Sequence, residues 1–287
     1  MGLNQAIVLS LPVKHRLNRR ILTISLIVIT CLAIIAILIG GIISTDVATT
    51  TSFLSKNLSP SSEHYLGTDW LGRDMLARTL KGLSLSIIIG LGASTVSAFL
   101  ALILGVASAS FGGKIDAFVS WGVDVVMGLP HLMLLILISY ALGKGLLGVT
   151  VAVAISHWPN LTRVIRAEIL QLKASNYIQI AIKLGHSSFY IAKNHMLPHI
   201  FPQFLVGLIL LFPHAILHEA AITFLGFGLS PEKPGIGIIL SESMKYLSLG
   251  YWWLSVFPGL ALLATVMLFD RLGHSIRELI DPHSTHN

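Results

Sequence analysis

The sequence predicts an all-α fold: a polytopic membrane protein with about six transmembrane helices. Three observations predict it. Hydrophobic residues fill 54% of the 287 positions and charged residues 11%, more apolar surface than one soluble core of this length can bury. Long uncharged apolar runs recur along the chain. The 19 Lys and Arg divide unevenly about those runs, 12 on the side read as cytoplasmic and 7 on the other, the sense that the positive-inside rule requires. The net charge of +6 therefore reads as topology rather than as affinity for nucleic acid. Cys31 is the only cysteine, which excludes an intrachain disulfide.

Taken in order, residues 1–20 form a cytoplasmic tail carrying Lys14, Arg16, Arg19 and Arg20. Residues 21–43 hold no charge, and at about 1.5 Å per residue they cross a ~30 Å hydrocarbon layer. The run is too long for a signal peptide and reads as an uncleaved anchor. Residues 44–82 are a polar, Ser/Thr-rich extracytoplasmic segment. Further spans are expected at 83–111, 117–142, 146–165, 200–225 and 251–272, the 146–165 run having the shortest apolar part. Together, residues 83–274 make the transmembrane core, with a cytoplasmic loop at 160–198 and a cytoplasmic tail at 275–287. Phe224 to Leu229, followed by Pro231, Pro234, Gly235 and Gly237, break the fifth span on its outer side. A short outer helix is expected near 242–246. Tyr251, Trp252 and Trp253 then suit a membrane interface.

Two polar strings stand out. Residues 177–198, YIQIAIKLGHSSFYIAKNHMLP, are too polar for lipid and fit a short helix, a turn at Gly185, a second short helix and a stop at Leu197-Pro198. Such a segment could also be an amphipathic loop on lipid headgroups. Residues 66–74, LGTDWLGRD, combine two turn-forming glycines with Asp69, Arg73 and Asp74, which can pair locally in a folded outer cap. Catalysis by this chain is not expected. Gly113-Lys114 and Gly143-Lys144 lack the hydroxyl residue of a phosphate loop, and His218-Glu219 is followed by Ile222 where a His-Glu-x-x-His motif needs its second histidine. A Gly-x-Ser-x-Gly string is also missing.

Asp124, His131, His157, His214, His218, Glu219 and Asp270 fall in or beside apolar runs, where ionised groups are costly. Asp124 is expected to pair with a basic residue inside the bundle and Asp270 to mark a boundary. His214 and His218, four residues apart, share a helix face just after Pro213, with Glu219 adjacent. Paired imidazoles suit nickel, zinc or copper; they would equally serve as buried cross-links between helices.

The 177–198 string resembles the cytoplasmic signature loop of permease subunits of binding-protein-dependent ABC importers. That pattern runs Glu-Ala-Ala, three residues, Gly, nine residues, Ile-x-Leu-Pro. Here Gln179-Ile180-Ala181, Gly185 and His195-Met196-Leu197-Pro198 occupy those places. The spacing matches although several residues differ. LGTDWLGRD is similar to the LGTDxxGRD motif of the peptide/nickel group, and residues 224–229 and Phe257-Pro258-Gly259-Leu260-Ala261 extend the likeness over most of 60–283. Histidines at 214 and 218, and the triplet Ser156-His157-Trp158, look nickel-type rather than peptide-type.

The resemblance implies an ABC importer type I permease fold in the bacterial cell (inner) membrane. It implies a second homologous permease, two ATPase subunits that use the ATP, an extracytoplasmic solute-binding protein, and no cofactor bound by this chain. Tyr177, Gln179, Ile180, Ala181, Gly185, Leu197 and Pro198 would couple to the ATPase, Gln179 replacing the usual Glu with a weaker neutral contact. Gly67, Thr68, Asp69, Gly72, Arg73 and Asp74 would form the extracytoplasmic motif. His214, His218 and Glu219 would line a transient metal path. The expected cargo is nickel or another transition metal, free or chelated. The alternatives are dipeptides or oligopeptides through the same architecture, or a stand-alone channel or secondary carrier.

Overall fold

The computed structural model describes residues 19–280, so most of both expected cytoplasmic tails lies outside the described residues. Twelve α-helices and no strand are found among the described residues. Helix α1 (Arg19–Ile43) is followed by the one-turn α2 (Thr45–Thr49) and a looped segment that leads into α3 (Met75–Phe111). Four helical stretches are long and apolar enough to cross a membrane: Arg20–Ile43, Met75–Phe111, Ser188–Phe224 and Trp253–Ile280.

Two of the six expected runs are broken helices. The 117–142 run is a bent pair, α4 (Gly113–Met127) and α5 (His131–Ala141), whose axes differ by 96°. Pro130 explains the break, since the residue before a proline is disfavoured in helical geometry and the helix ends short of it. The 146–165 run is likewise divided into α6 (Gly145–Ser156) and α7 (Trp158–Lys173), interrupted at His157 with Pro159 opening the second helix. Their 12 and 16 residues are each shorter than the roughly 20 that a span requires. By length and composition, four continuous helices qualify as spans among the described residues, or five counting the bent pair.

The central element is α3, packed against α1, α7 and α10 (Leu197–Phe224). Its buried side chains are mostly small: Gly90, Ala93, Ser94, Ser97, Ala98, Ala101 and Gly105. Small residues let helix backbones approach where lipid offers no hydrophobic drive to associate. At Gly90 an added Cβ would stand 2.6 Å from Ile216, and at Gly105 2.8 Å from Ile165. On α1 the residues Ile29, Leu32 and Ile42 are exposed, as a lipid-facing surface should be.

Leu197-Pro198 does not stop a helix. It opens α10, which continues from α9 (Ser188–Ile191) through a π-turn at Ala192–Met196. A wider turn just before Pro198 accommodates the ring and the missing amide donor, so the helix passes the proline instead of ending. After Phe224 the chain turns at Gly226 and enters α11 (Ile236–Leu247), longer than the expected 242–246 and half buried. Helix α12 (Trp253–Ile280) closes the bundle against α1, α10 and α11. Of the three aromatics expected at the interface, Trp252 is exposed, whereas Trp253 is buried.

Candidate functional site

Three constellations carry the residues singled out in the sequence, and they lie in separate parts of the molecule. The first is the short helix α8 (Asn176–Lys183). Ile178 and Ala181 are its buried face and join a core made with Ile165, Ile169, Leu172, Ile191 and Met196. The helix closes with a Schellman motif. Gly185 N–H donates to Ile182 O at 3.0 Å and His186 N–H to Ala181 O at 3.2 Å, with Gly185 at φ +84°. The next turn is capped by Ser187, whose hydroxyl accepts from Tyr190 N–H.

This leaves Tyr177, Ile180 and Leu184 exposed by 46%, 57% and 73%, an apolar stripe at i, i+3 and i+7 that faces away from the bundle. The structure thus divides the residues expected to act together. Tyr177 and Ile180 face outward, while Ala181 is an anchor of the helix on its own bundle. The side-chain amide of Gln179 turns back to donate to Lys173 O at 2.7 Å, bracing the α7–α8 turn. Leu197 and Pro198 lie at the start of α10 and not at a loop end.

The second constellation is the outer string. Asp69 is fully buried and its carboxylate is saturated. Oδ1 accepts from Leu71 N–H at 2.8 Å and Arg73 N–H at 2.9 Å; Oδ2 accepts from Arg73 Nε at 2.7 Å and from Arg78 Nη1. Arg78, 1% exposed, continues to Glu242 on α11 at 3.0 Å. Asp74 caps α3 by accepting from Ala77 N–H and also meets His64 Nδ1, both at 2.9 Å. Thr68 Oγ1 accepts from Leu58 N–H and donates to Ser55 O. Gly67 and Gly72 both have φ +75°, and an added Cβ would strike Trp253 and the Ser52 carbonyl respectively. The string is a knot that ties the looped segment to α3, α11 and α12. The pairing of Asp69 with Arg73 was expected; Arg78 and Glu242, the long-range members, were not, because nothing in local spacing links 78 to 242.

The third constellation is a cavity of about 320 Å³ bounded by α4, α5, α7 and α10 and lined in part by His131, His157, His214 and His218. His131 opens α5, His157 sits in the α6–α7 break and His218 projects from α10. His157 Nε2 lies 3.0 Å from His218 Nδ1, and His131 packs on both rings with centroids 4.7 and 4.5 Å away. The expected trio of His214, His218 and Glu219 is not one group. His214 lines the cavity outside the tight cluster. Glu219 is fully buried and accepts from Thr223 Oγ1 at 3.0 Å. Consecutive helix residues point about 100° apart, so Glu219 cannot share the cavity face of His218. His131 and His157 were missed as partners because they lie far off in sequence. The usable signal was that both stand at proline-marked helix breaks inside apolar runs.

Near this cavity, Asp124 meets the basic Arg163 at 2.7 Å, but both side chains are exposed and the pair does not lie inside the bundle as expected. Asp116 holds Arg166 through two bonds of 2.6 and 2.7 Å, clamping α4 to α7.

Comparisons with known proteins agree with this architecture. Residues 97–285 match the family described as binding-protein-dependent transport system inner membrane component. The chain is 29% identical to the dipeptide transport system permease protein DppC of Bacillus subtilis, over 93% of this chain and 84% of that protein. It is 31% identical to the oligopeptide transport system permease protein OppC of the same organism, over 92% and 86%. Among solved structures, a chain of the MetNI methionine ABC transporter in an inward-facing conformation superposes with a TM-score of 0.60. That match has 18% identity and covers 72% of this chain and 98% of that one.

Proposed function

Because this chain belongs to the binding-protein-dependent transport system inner membrane component family, we propose that it is the permease subunit of a peptide importer. It is a multi-pass inner-membrane protein of the ABC importer type I permease fold. The proposed cargo is di- or oligopeptides, because relatives aligned over nine-tenths of the chain are permeases for those solutes. Nickel, the cargo expected from the histidines, finds no support in those relatives and yields to the peptide reading. The proposed partners are a second homologous permease, ATPase subunits that supply the hydrolysis, and a solute-binding protein.

The observation that carries the mechanism is the exposed stripe of Tyr177, Ile180 and Leu184 on a helix whose other face is locked into the bundle. A soluble partner that seats this stripe gains a hydrophobic contact, and any displacement of the seat passes through Ile178 and Ala181 to α7 and α10. Asp69 and its neighbours would hold the opposite segment rigid while the helices tilt. The test is uptake by the assembled importer in proteoliposomes with its binding protein. Labelled di- and oligopeptides should accumulate only with ATP, and this accumulation should be abolished when the ATPase subunits are inactive. Accumulation without ATP would point to a carrier; ATP-driven uptake of other solutes with no peptide uptake would refute the cargo class.

A further inference from the structure

The histidine cluster has the features of a metal site built from three separate elements. One ligand nitrogen from each of His131, His157 and His218 lies within 4.8 Å of the others. Nitrogens bound at about 2.1 Å to one tetrahedral ion stand about 3.4 Å apart, so a small inward turn of the rings is enough. His157 is held for the purpose. Its Nδ1 is 2.9 Å from Val153 O and 2.9 Å from Ser156 Oγ. A carbonyl only accepts, so Nδ1 carries the proton and the lone pair falls on Nε2, which faces His218.

A hydrogen-bonded pair of histidines accounts for His157 and His218, but it leaves His131 over. His131 Nε2 is buried with no hydrogen-bond partner among the described residues. A buried polar atom left unpaired is costly and needs a reason. An ion at the centre of the cluster supplies one, and it uses all three rings. We propose that His131, His157 and His218 form a three-imidazole binding station for a divalent late transition-metal ion, with a fourth position open to the cavity.

The donor set selects the class of ion. Neutral imidazoles suit copper, nickel and zinc, whereas calcium and magnesium require oxygen ligands. The adjacent carboxylate of Glu219 is turned away and bonded to Thr223, so it does not add an oxygen donor. Three protein ligands with one exchangeable position hold an ion without enclosing it. The open position could take a donor from cargo, such as the amino nitrogen of a peptide that carries the ion. That transport consequence rests on the peptide-importer reading; the binding itself does not.

The experiment uses the assembled importer, purified without a polyhistidine tag and set in lipid nanodiscs. Copper(II), the tightest binder of the divalent series, is followed by electron paramagnetic resonance, and nickel(II) by calorimetry. The expected result is one copper site per copy of this chain, with hyperfine coupling from three imidazole nitrogens. H131Q, H157Q and H218Q should each weaken it at least tenfold, and H214Q less than threefold. H131Q is the decisive variant should H157Q fail to assemble, because its Nε2 has no hydrogen bond to lose. Wild-type complex lacking such a signal, or H131Q binding copper with unchanged affinity, overturns the inference. Peptide uptake with no copper site defeats this proposal alone, and a copper site without peptide uptake defeats the cargo reading alone.

Discussion

Gly185→Pro should reduce ATP-driven uptake more than tenfold while the protein still reaches the membrane. Gly185 has φ +84°, and proline holds φ near −65°, so the turn cannot keep its course. The Gly185 N–H bond to Ile182 O, 3.0 Å long, disappears with the amide hydrogen. Leu184, now preceding a proline, is also pushed out of its helical geometry of φ −76° and ψ 0°. The end of α8 must swing, and the exposed Leu184 moves with it. Gly185→Ala separates strain from space. Among the described residues, no atom beyond its chain neighbours lies within 4 Å of the added Cβ, so its cost is only the left-handed backbone, about 1–2 kcal/mol. Alanine should therefore retain far more transport than proline. Membrane abundance and uptake measured together decide the matter. Wild-type uptake by Gly185→Pro at normal abundance would remove α8 from the coupling mechanism.

Asp69→Asn is expected to destabilise the chain by about 3–5 kcal/mol, the usual cost of leaving a buried charge without its partner. Arg78 is the stranded group, being 1% exposed and bonded to the carboxylates of Asp69 and Glu242. Glu242 keeps one contact at 3.0 Å and is itself partly exposed, which places the loss toward the lower end of that range. Replacing both Asp69 and Arg78 by neutral residues should cost less than the sum of the single changes, since neither then leaves the other unpaired. Thermal unfolding of the purified complex, with abundance in membranes, measures this. Unchanged melting of Asp69→Asn would show that the outer knot is held by its turns and not by its charges.

Much of this molecule is legible in its residues alone. The α8 turn was legible because its cause is local: a glycine where the backbone must go left-handed. The pairing of Asp69 with Arg73 was legible for the same reason. Hydropathy did not reveal the breaks inside 117–142 and 146–165, because it counts apolar side chains and is blind to the direction of the backbone at Pro130 and Pro159. Proline was misjudged in the other direction at Pro198, where a π-turn lets the helix through. The histidine site was half visible. Spacing of four found His214 and His218 on one helix, but helix rotation sends Glu219 elsewhere, and His131 and His157 come to His218 only through the packing of α5 and α6 on α10. The buried charge network of Arg78 and Glu242 likewise exists only in the fold.

The central claim is that the outward stripe of α8 is the seat of an ATPase subunit, and site-specific photocrosslinking tests it most directly. A photoreactive phenylalanine analogue at Ile180, which is 57% exposed, should form an adduct with an ATPase subunit in native membranes, and ATP should change its yield. The same group at Phe118, exposed on α4 away from α8, should yield lipid adducts only. An adduct at 180 confined to lipid, in a complex that transports normally, would contradict the claim and return this segment to the membrane surface.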